Sequence, residues 1–200
     1  MPPRTLALGL LFLVLTSFHG LPSESGLVTA HALVGTPLAT THSVSPRPAA
    51  YGFLSHTTPV ELIIPRIGVD ARVEARGLDS KRNLDTPRDF HDVAWYNRGP
   101  APGERGNALI NGHVNWWTGA AVFTHLSALR SGDEIFVVRE DDSTATFRVT
   151  GRTIVAAGAR LPSLFASSPN STLTLITCTG VWDTARGSDT QRLLVSAVLE

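Results

Sequence analysis

From residue 59 to its C-terminus, the chain is a series of short β-rich runs separated by turn residues. The run at 60–64 ends at Pro65, and those at 134–139 and 144–150 flank Asp141-Asp142-Ser143, which is typical of a hairpin turn. Further runs lie at 69–73, 107–111, 171–177 and 191–199. Helical patterns are weak and short, at 121–129 and 161–166. Many short strands with little helix predict a mainly β domain folded as a closed or nearly closed barrel.

The first 58 residues differ in composition from the predicted domain. The 19 residues from 5 to 23 carry no charge, close to the ~20 needed to span a bilayer, and their dense apolar part is typical of a signal peptide. We predict a signal peptide or membrane anchor over 1–23, which makes the membrane a partner, and a flexible Ser/Thr/Pro-rich linker over 24–58. Arg4 before the apolar segment orients the rest of the chain outward. The domain at 59–200 is therefore predicted to be extracytoplasmic, either anchored to the cell membrane or secreted after cleavage of the leader.

Charge and cysteine content narrow the classes of function. The chain has 17 basic and 17 acidic residues, and its arginines are scattered, whereas a nucleic-acid-binding protein usually has a clustered basic face. We therefore predict no nucleic-acid partner. Asp141 and Asp142 lie in a predicted hairpin turn, where solvated carboxylates are the better explanation, so we predict no metal and no cofactor. The single cysteine excludes an intramolecular disulfide and leaves a thiol that is either structural or reactive.

Three residues near predicted strand ends could act together. Cys178 ends the run at 171–177, and Arg192 lies at the start of the last run. If these two runs pair as an antiparallel hairpin, Cys178 and Arg192 lie at the same barrel rim, roughly 5 to 8 Å apart. His113 follows Gly112 at the end of the run at 107–111, where functional groups concentrate.

Together these residue types are sufficient for acyl transfer. A thiolate is the nucleophilic form of cysteine, an imidazole can take the thiol proton, and a guanidinium can stabilise a thiolate or an oxyanion. Spacing alone leaves two alternatives open. Cys178 could be a structural residue, and His91 and His125 are rivals to His113 in the folded part of the chain.

The segment Thr174-Leu175-Ile176-Thr177-Cys178 resembles the Thr-Leu-x-Thr-Cys signature of sortases at every specified position. Gly112-His113-Val114 resembles the segment around the catalytic histidine of that family, and Arg192 lies where its catalytic arginine is found. Further residues follow the family pattern in order, some before the histidine motif and some between it and the cysteine motif. They are Trp95, Pro102, Gly103, Glu104, Gly106, Ala120, Val122, Phe123, Leu126, Leu129, Gly132 and Asp133. The resemblance covers residues 59–200. Within the family the sequence is most similar to the actinobacterial class F group, with class E as the alternative.

The resemblance implies an eight-stranded sortase-type β-barrel with one or two short helices. It also implies cleavage of a Leu-Pro-x-Thr-Gly-like cell-wall sorting signal between Thr and Gly, through a thioacyl intermediate. The acyl group would pass to an amine acceptor on a cell-wall precursor or another protein. In this chain Cys178 would be the nucleophile, His113 the proton-transfer residue and Arg192 the third catalytic residue.

Three further residues are candidates for substrate binding. Thr177 could make a hydrogen bond in the site. Trp116 and Trp117 could form an apolar wall for the sorting peptide, or could pack under the barrel rim instead. Asn115 departs from the pattern, because many relatives carry an acidic residue two positions after the histidine.

Two other functions remain as alternatives. L,D-transpeptidases also use a cysteine and a histidine on a β-rich domain, but their histidine closely precedes the cysteine, whereas 65 residues separate His113 from Cys178. The spacing therefore disfavours this class. A non-catalytic exported β-barrel binding module with a buried cysteine is the second alternative.

Overall fold

A computed structural model describes residues 52–117 and 119–200 of the chain. The predicted leader at 1–23 and most of the predicted linker at 24–58 lie outside these residues. The strands within the described ranges are β1 (Pro59–Ile64), β2 (Val69–Arg76), β3 (Val93–Tyr96), β4 (Gly106–Asn111), β5 (Asn115–Trp116), β6 (Gly119–Ala120), β7 (Glu134–Arg139), β8 (Thr144–Ala156), β9 (Ser171–Asp183) and β10 (Ser188–Leu199). Eight of them close into a barrel in the order β1-β2-β3-β4-β9-β10-β8-β7, and β5 and β6 form a separate hairpin. The prediction of a mainly β, eight-stranded barrel is confirmed.

The helical segments in the described part of the chain are short 3-10 helices at Pro65–Ile67, Leu126–Ala128 and Pro162–Phe165. The last two fall inside the segments predicted to be helical, and the first was not predicted. Pro65 and Pro162 stand at the first helical positions, where a missing N–H costs no hydrogen bond. Among the described residues no helix is long and apolar enough to cross a membrane.

Alternating side chains build the interior of the barrel. Leu173 and Leu175 of β9 and Leu193 and Val195 of β10 are buried in its core, and each such side chain contributes about 1.5–3 kcal/mol when fully buried. Successive residues of a strand point to opposite faces. Cys178 is three positions after Leu175, so the two side chains lie on opposite faces. Cys178 is therefore an outward-facing residue.

Two neighbouring ladders fix the position of β9. It pairs in parallel with β4, with Asn111 opposite Ile176, and antiparallel with β10, with Arg192 opposite Cys178. The segment containing the 3-10 helix at Pro162–Phe165 lies on the outer face of β4, where Asn107 Nδ2 donates to the Leu164 carbonyl at 3.0 Å. The outer face of β4 and β9 therefore leads from Cys178 toward this segment.

Candidate active site

Cys178 and Arg192 are direct cross-strand partners in the β9–β10 ladder. Their inward neighbours Thr177 and Leu193 are buried, so both side chains lie on the outer face of the barrel. Directly opposed residues of an antiparallel pair have Cα atoms about 4.5–5.5 Å apart. The predicted hairpin pairing of these two residues is confirmed.

The Arg192 guanidinium is held by the first residues of its own strand, β10. Its Nη1 donates to the carbonyl oxygens of Asp189 at 2.9 Å and Gln191 at 2.7 Å, and its Nη2 donates to Ser188 Oγ at 2.8 Å. Within the described residues these bonds use three of the five N–H groups that a guanidinium carries. Two donors remain for a substrate carbonyl or an oxyanion.

A β-bulge brings Ser188 back toward Arg192. The β9–β10 register shifts between Asp189 and Gln191, and Gly180 opposite has a φ of +93°, with its missing Cβ only 2.6 Å from Thr190 Oγ1. A bulge bends its strand and re-aims the neighbouring side chains. Ser188 was not predicted from the sequence, because no residue pattern marks this bulge.

His113 lies at the end of the β4–β9 ladder. Asn111 pairs with Ile176, Gly112 N donates to the Ile176 carbonyl at 3.1 Å, and Thr177 Oγ1 donates to the Gly112 carbonyl at 2.8 Å. Two residues beyond Asn111, His113 is level with Cys178, which is two residues beyond Ile176. His113, directly after the end of β4, thus lies level with Cys178 and its cross-strand partner Arg192. The sequence predicted that Cys178 ends its strand and that Arg192 begins the last one, but β9 continues to Asp183 and β10 begins at Ser188, so both residues lie within their strands.

The environment of the His113 ring assigns its tautomer. Nε2 lies 3.3 Å from the Pro87 carbonyl oxygen, which can only accept a hydrogen bond, so Nε2 carries the proton in this contact. Nδ1 is then the nitrogen that can accept a proton. The His113 carbonyl accepts from Phe123 N at 2.9 Å, which fixes the backbone of this residue.

Neither rival histidine follows the end of a strand that pairs with β9. His91 is exposed in the loop before β3, with its ring 4.1 Å from that of Phe90. His125 is exposed at the start of the 3-10 helix Leu126–Ala128. Neither residue is on a strand that pairs with β9.

Gly112 is required by close packing below His113. A Cβ at this position would lie 2.7 Å from Val122 Cγ1 and 2.8 Å from Phe123 Cδ2. Contacts this short force the neighbours to move, and overpacking a well-packed site typically costs about 1–3 kcal/mol.

We expect Gly112→Ala to lower the free energy of unfolding by about 1–3 kcal/mol and to reduce turnover further by displacing His113. Chemical denaturation and steady-state kinetics of the purified variant measure the two effects. Gly158→Ala is the matched control, because no atom lies within 4 Å of a Cβ built there and its φ is not in the left-handed range. Wild-type stability of Gly112→Ala would contradict this packing.

Thr177 and the tryptophans differ in how far they are exposed. Thr177 is buried, and its hydroxyl is bonded to the β4 end rather than open to solvent. Trp116 stacks on Phe90 with ring centroids 5.6 Å apart and lies 5.5 Å from the His113 ring, whereas Trp117 is 90% exposed. Trp116 is thus a packed neighbour of His113, and the role of either tryptophan in substrate binding stays a prediction.

Burial raises the pKa of the Cys178 thiol above its ordinary value. The Arg192 cation opposes this by lowering the pKa, the Asp189 carboxylate raises it again, and a hydrogen bond with the Ser188 hydroxyl lowers it. Because burial is the largest of these effects, the resting thiol is protonated at neutral pH. A nucleophilic reaction of Cys178 therefore needs a base, and His113, directly after the neighbouring strand β4, stays the predicted one.

Removing either of the two charged groups near the thiol should shift the titration of Cys178, in opposite directions for Arg192 and Asp189. Arg192→Ala removes the cation that favours the thiolate, so the pH midpoint of Cys178 alkylation by iodoacetamide should move upward. Asp189→Asn removes an anion that disfavours the thiolate, so the midpoint should move downward. The alkylation rate against pH, followed by mass spectrometry, measures both shifts. Equal midpoints in the two variants would show that these charges do not act on the thiol.

The described residues include no cluster of three or more His, Cys, Asp or Glu side chains that could hold a metal ion.

Comparison with known proteins gives a consistent result. The sortase domain family matches residues 62–200, and no curated protein matches the chain. Among solved structures, a lid mutant of sortase A from Corynebacterium diphtheriae is 23% identical with a TM-score of 0.54, covering 73% of this chain and 72% of that one. Sortase C2 of Group B Streptococcus Pilus Island 1 is 22% identical with a TM-score of 0.54, covering 74% and 77%. Sortase C-1 from Actinomyces oris is 24% identical with a TM-score of 0.54, covering 71% and 74%. At these identities the structures establish the fold, and the family match rests on the sequence.

Proposed function

The chain belongs to the sortase family of cell-wall transpeptidases, and from that premise we propose that it cleaves a Leu-Pro-x-Thr-Gly-like sorting signal between Thr and Gly and transfers the acyl part to an amine. The observation that supports this proposal is the arrangement of three neighbouring strands, with His113 directly after β4, level with Cys178 in β9 and its cross-strand partner Arg192 in β10. These strands are distant in sequence, and together they supply a nucleophile, a base and a cation.

The first half of the reaction forms a thioester. His113 Nδ1 accepts the thiol proton as Cys178 Sγ attacks the threonine carbonyl carbon, and the carbonyl oxygen becomes an oxyanion. The two unused N–H groups of Arg192 can donate to that oxyanion. The protonated His113 then gives its proton to the glycine nitrogen, the C–N bond breaks and the peptide fragment leaves as a neutral amine.

The second half transfers the acyl group. His113 accepts a proton from the incoming amine as the amine attacks the thioester carbon. The C–S bond breaks, Cys178 leaves as a thiolate, and the proton held by His113 restores the thiol. Because the buried thiol has a raised pKa, this return of the proton is favourable, and the enzyme regains its starting state.

The fold supports one direction for the substrate. The outer face of β4 and β9 extends from Cys178 toward the 3-10 helix Pro162–Phe165, which leaves room for the acyl part of the peptide. His113 is level with Cys178, and its ring contacts Trp116 of the β5–β6 hairpin. Since the amine must reach His113, we assign both the leaving fragment and the acceptor to the side of this hairpin, where the exposed Trp117 offers an apolar surface.

The cellular setting follows from the family and from the N-terminal sequence. Sortases act outside the cytoplasm, and the predicted apolar segment at 1–23 would hold the domain at the membrane through the linker. The class F-like assignment, with class E as the alternative, is part of this proposal.

A peptide library with defined amine acceptors tests the proposed reaction. Full-length protein in mild detergent is mixed with peptides that vary each position of Leu-Pro-x-Thr-Gly, together with triglycine or a diamine, and the products are identified by mass spectrometry. We expect cleavage after Thr and an acyl–amine product. Failure to cleave any member after Thr would overturn the proposal.

A further inference from the structure

A cavity of about 550 Å³ lies between the start of β4 and the segment that carries the 3-10 helix Pro162–Phe165. Its lining includes Tyr96, Arg98, Arg105, Asn107, Leu109 and Phe165. The rings of Tyr96 and Phe165 meet edge to face with centroids 5.7 Å apart and form one wall. No residue of the mechanism proposed above lines this cavity.

The charge of the cavity has one sign. Arg98 and Arg105 are exposed, and no carboxylate is among the lining residues that the structure describes. Neither arginine forms a salt bridge within residues 52–117 and 119–200. The Arg105 guanidinium lies 4.5 Å over the Phe53 ring, a contact that holds the cation without neutralising it.

The carboxylate nearest to Arg105 along the chain already has hydrogen-bond partners. Glu104, which precedes Arg105, accepts from Ala101 N at 2.6 Å and faces His56 Nδ1 at 3.0 Å. Glu104 lies outside the lining, so Arg98 and Arg105 are the charged side chains that the described lining contains, and they favour an anionic over a cationic peptide. The chemical class that these arginines favour is a carboxylate.

The register of β4 gives the distance from the cavity to Cys178. Because His113 is level with Cys178, the lining residues Asn107 and Leu109 are six and four positions before that level. At about 3.3 Å per residue this is about 13–20 Å along the strand. A substrate peptide in an extended conformation has the same rise, and a residue preceding proline favours that conformation.

We propose that this cavity is a subsite for acidic residues one to three positions before the sorting motif. With the threonine at Cys178, the leucine of the motif is three residues upstream, so the next three residues reach the level of Leu109 to Asn107. The inference rests on the proposed function, which sets the direction of the peptide. It adds a charge preference outside the sorting motif itself.

Three peptides with one common motif and the preceding residues Asp-Asp, Asn-Asn or Lys-Lys test the subsite. For the full-length enzyme at low ionic strength we expect kcat/KM to be about tenfold higher for Asp-Asp than for Lys-Lys, since two exposed charge pairs contribute a few-fold each. The difference should appear mainly in KM, because the charges are far from the reacting bond. The difference in kcat/KM should shrink in 0.5 M salt, where the Debye length is about 3–5 Å and exposed charges are largely screened.

Charge reversal at the cavity is the matching test on the protein. R98E/R105E should invert the preference, R98Q/R105Q should abolish it, and R66E should leave it unchanged because Arg66 is an exposed arginine outside the lining. Equal kcat/KM for the three peptides in the unmodified enzyme, or an unchanged preference in R98E/R105E, overturns the subsite alone.

Binding separates failure of the subsite from failure of the proposed reaction. If no peptide is cleaved, the reaction is overturned, and the anisotropy of labelled Asp-Asp and Lys-Lys peptides with the unmodified protein and R98E/R105E decides the subsite. Tighter binding of Asp-Asp that is lost in R98E/R105E supports it, and equal binding of both peptides overturns it.

Discussion

Cys178→Ala should reduce kcat/KM for a sorting-signal peptide by at least about 10³-fold while leaving the fold intact, since removing the nucleophile of a catalytic unit removes nearly all of its rate enhancement. The side chain lies on the outer face of β9 and is only partly buried. Its loss therefore creates no cavity in the barrel core. Steady-state kinetics and thermal unfolding of the purified variant measure the two parts of this expectation.

The same variant separates catalysis from a structural role. If Cys178 were only structural, the truncated variant would be less stable but still active. If Cys178 is the nucleophile, the variant loses activity and keeps its stability. Cys178→Ser is the matched control, because it changes the volume little and replaces the thiol with a hydroxyl, which does not readily form an anion. It should be nearly as inactive as the alanine variant, and turnover close to that of the unmodified enzyme in either variant would remove Cys178 from the mechanism.

His113→Ala should lower kcat/KM by about 10²- to 10⁴-fold, the range that general acid–base catalysis contributes. The partly buried thiol has a raised pKa and stays protonated without a base, so both the attack and the departure of the amine depend on this residue. The expected signature is a change in the pH dependence of kcat/KM as well as in its size, because the group that accepts the thiol proton is lost.

His125→Ala is the control for this variant. His125 is exposed at the start of a 3-10 helix and is not next to β4, β9 or β10 in the chain, so the activity and pH profile of this variant should be unchanged. If His113→Ala retained the activity and pH profile of the unmodified enzyme, another base would have to be sought.

The parts of the site that were predictable are local in sequence. Cys178 and Arg192 belong to consecutive strands, and an antiparallel hairpin necessarily brings the end of one beside the start of the next. The alternation of apolar residues along β9 also fixes which face carries the cysteine. For this pair, chain connectivity and strand pattern were sufficient.

The position of His113 relative to Cys178 depends on a non-local contact. It requires β4 to pair in parallel with β9, and no strand pattern states which of the distant strands are neighbours. The resemblance identified the histidine, whereas the residues alone left His91 and His125 as rivals. The parallel ladder explains why His113 is the one that meets the thiol.

Other features arise from backbone details that have no residue code. The bulge between Asp189 and Gln191 turns Ser188 onto Arg192, and the stacking of Trp116 on Phe90 joins the β5–β6 hairpin to the loop before β3. Two of the three helical segments were predicted, but they are 3-10 helices of three or four residues. Segments this short follow their tertiary surroundings more than their intrinsic propensity.

The most direct test of the central claim is the intact mass of the full-length enzyme after rapid mixing with a sorting-signal peptide and acid quenching. We predict an added mass equal to the peptide fragment that ends in threonine, attached to Cys178 and absent from Cys178→Ala. This adduct should disappear when an amine acceptor is added before the quench. Peptide cleavage after threonine with no such adduct, or an adduct on a residue other than Cys178, would contradict acyl transfer through this thiol.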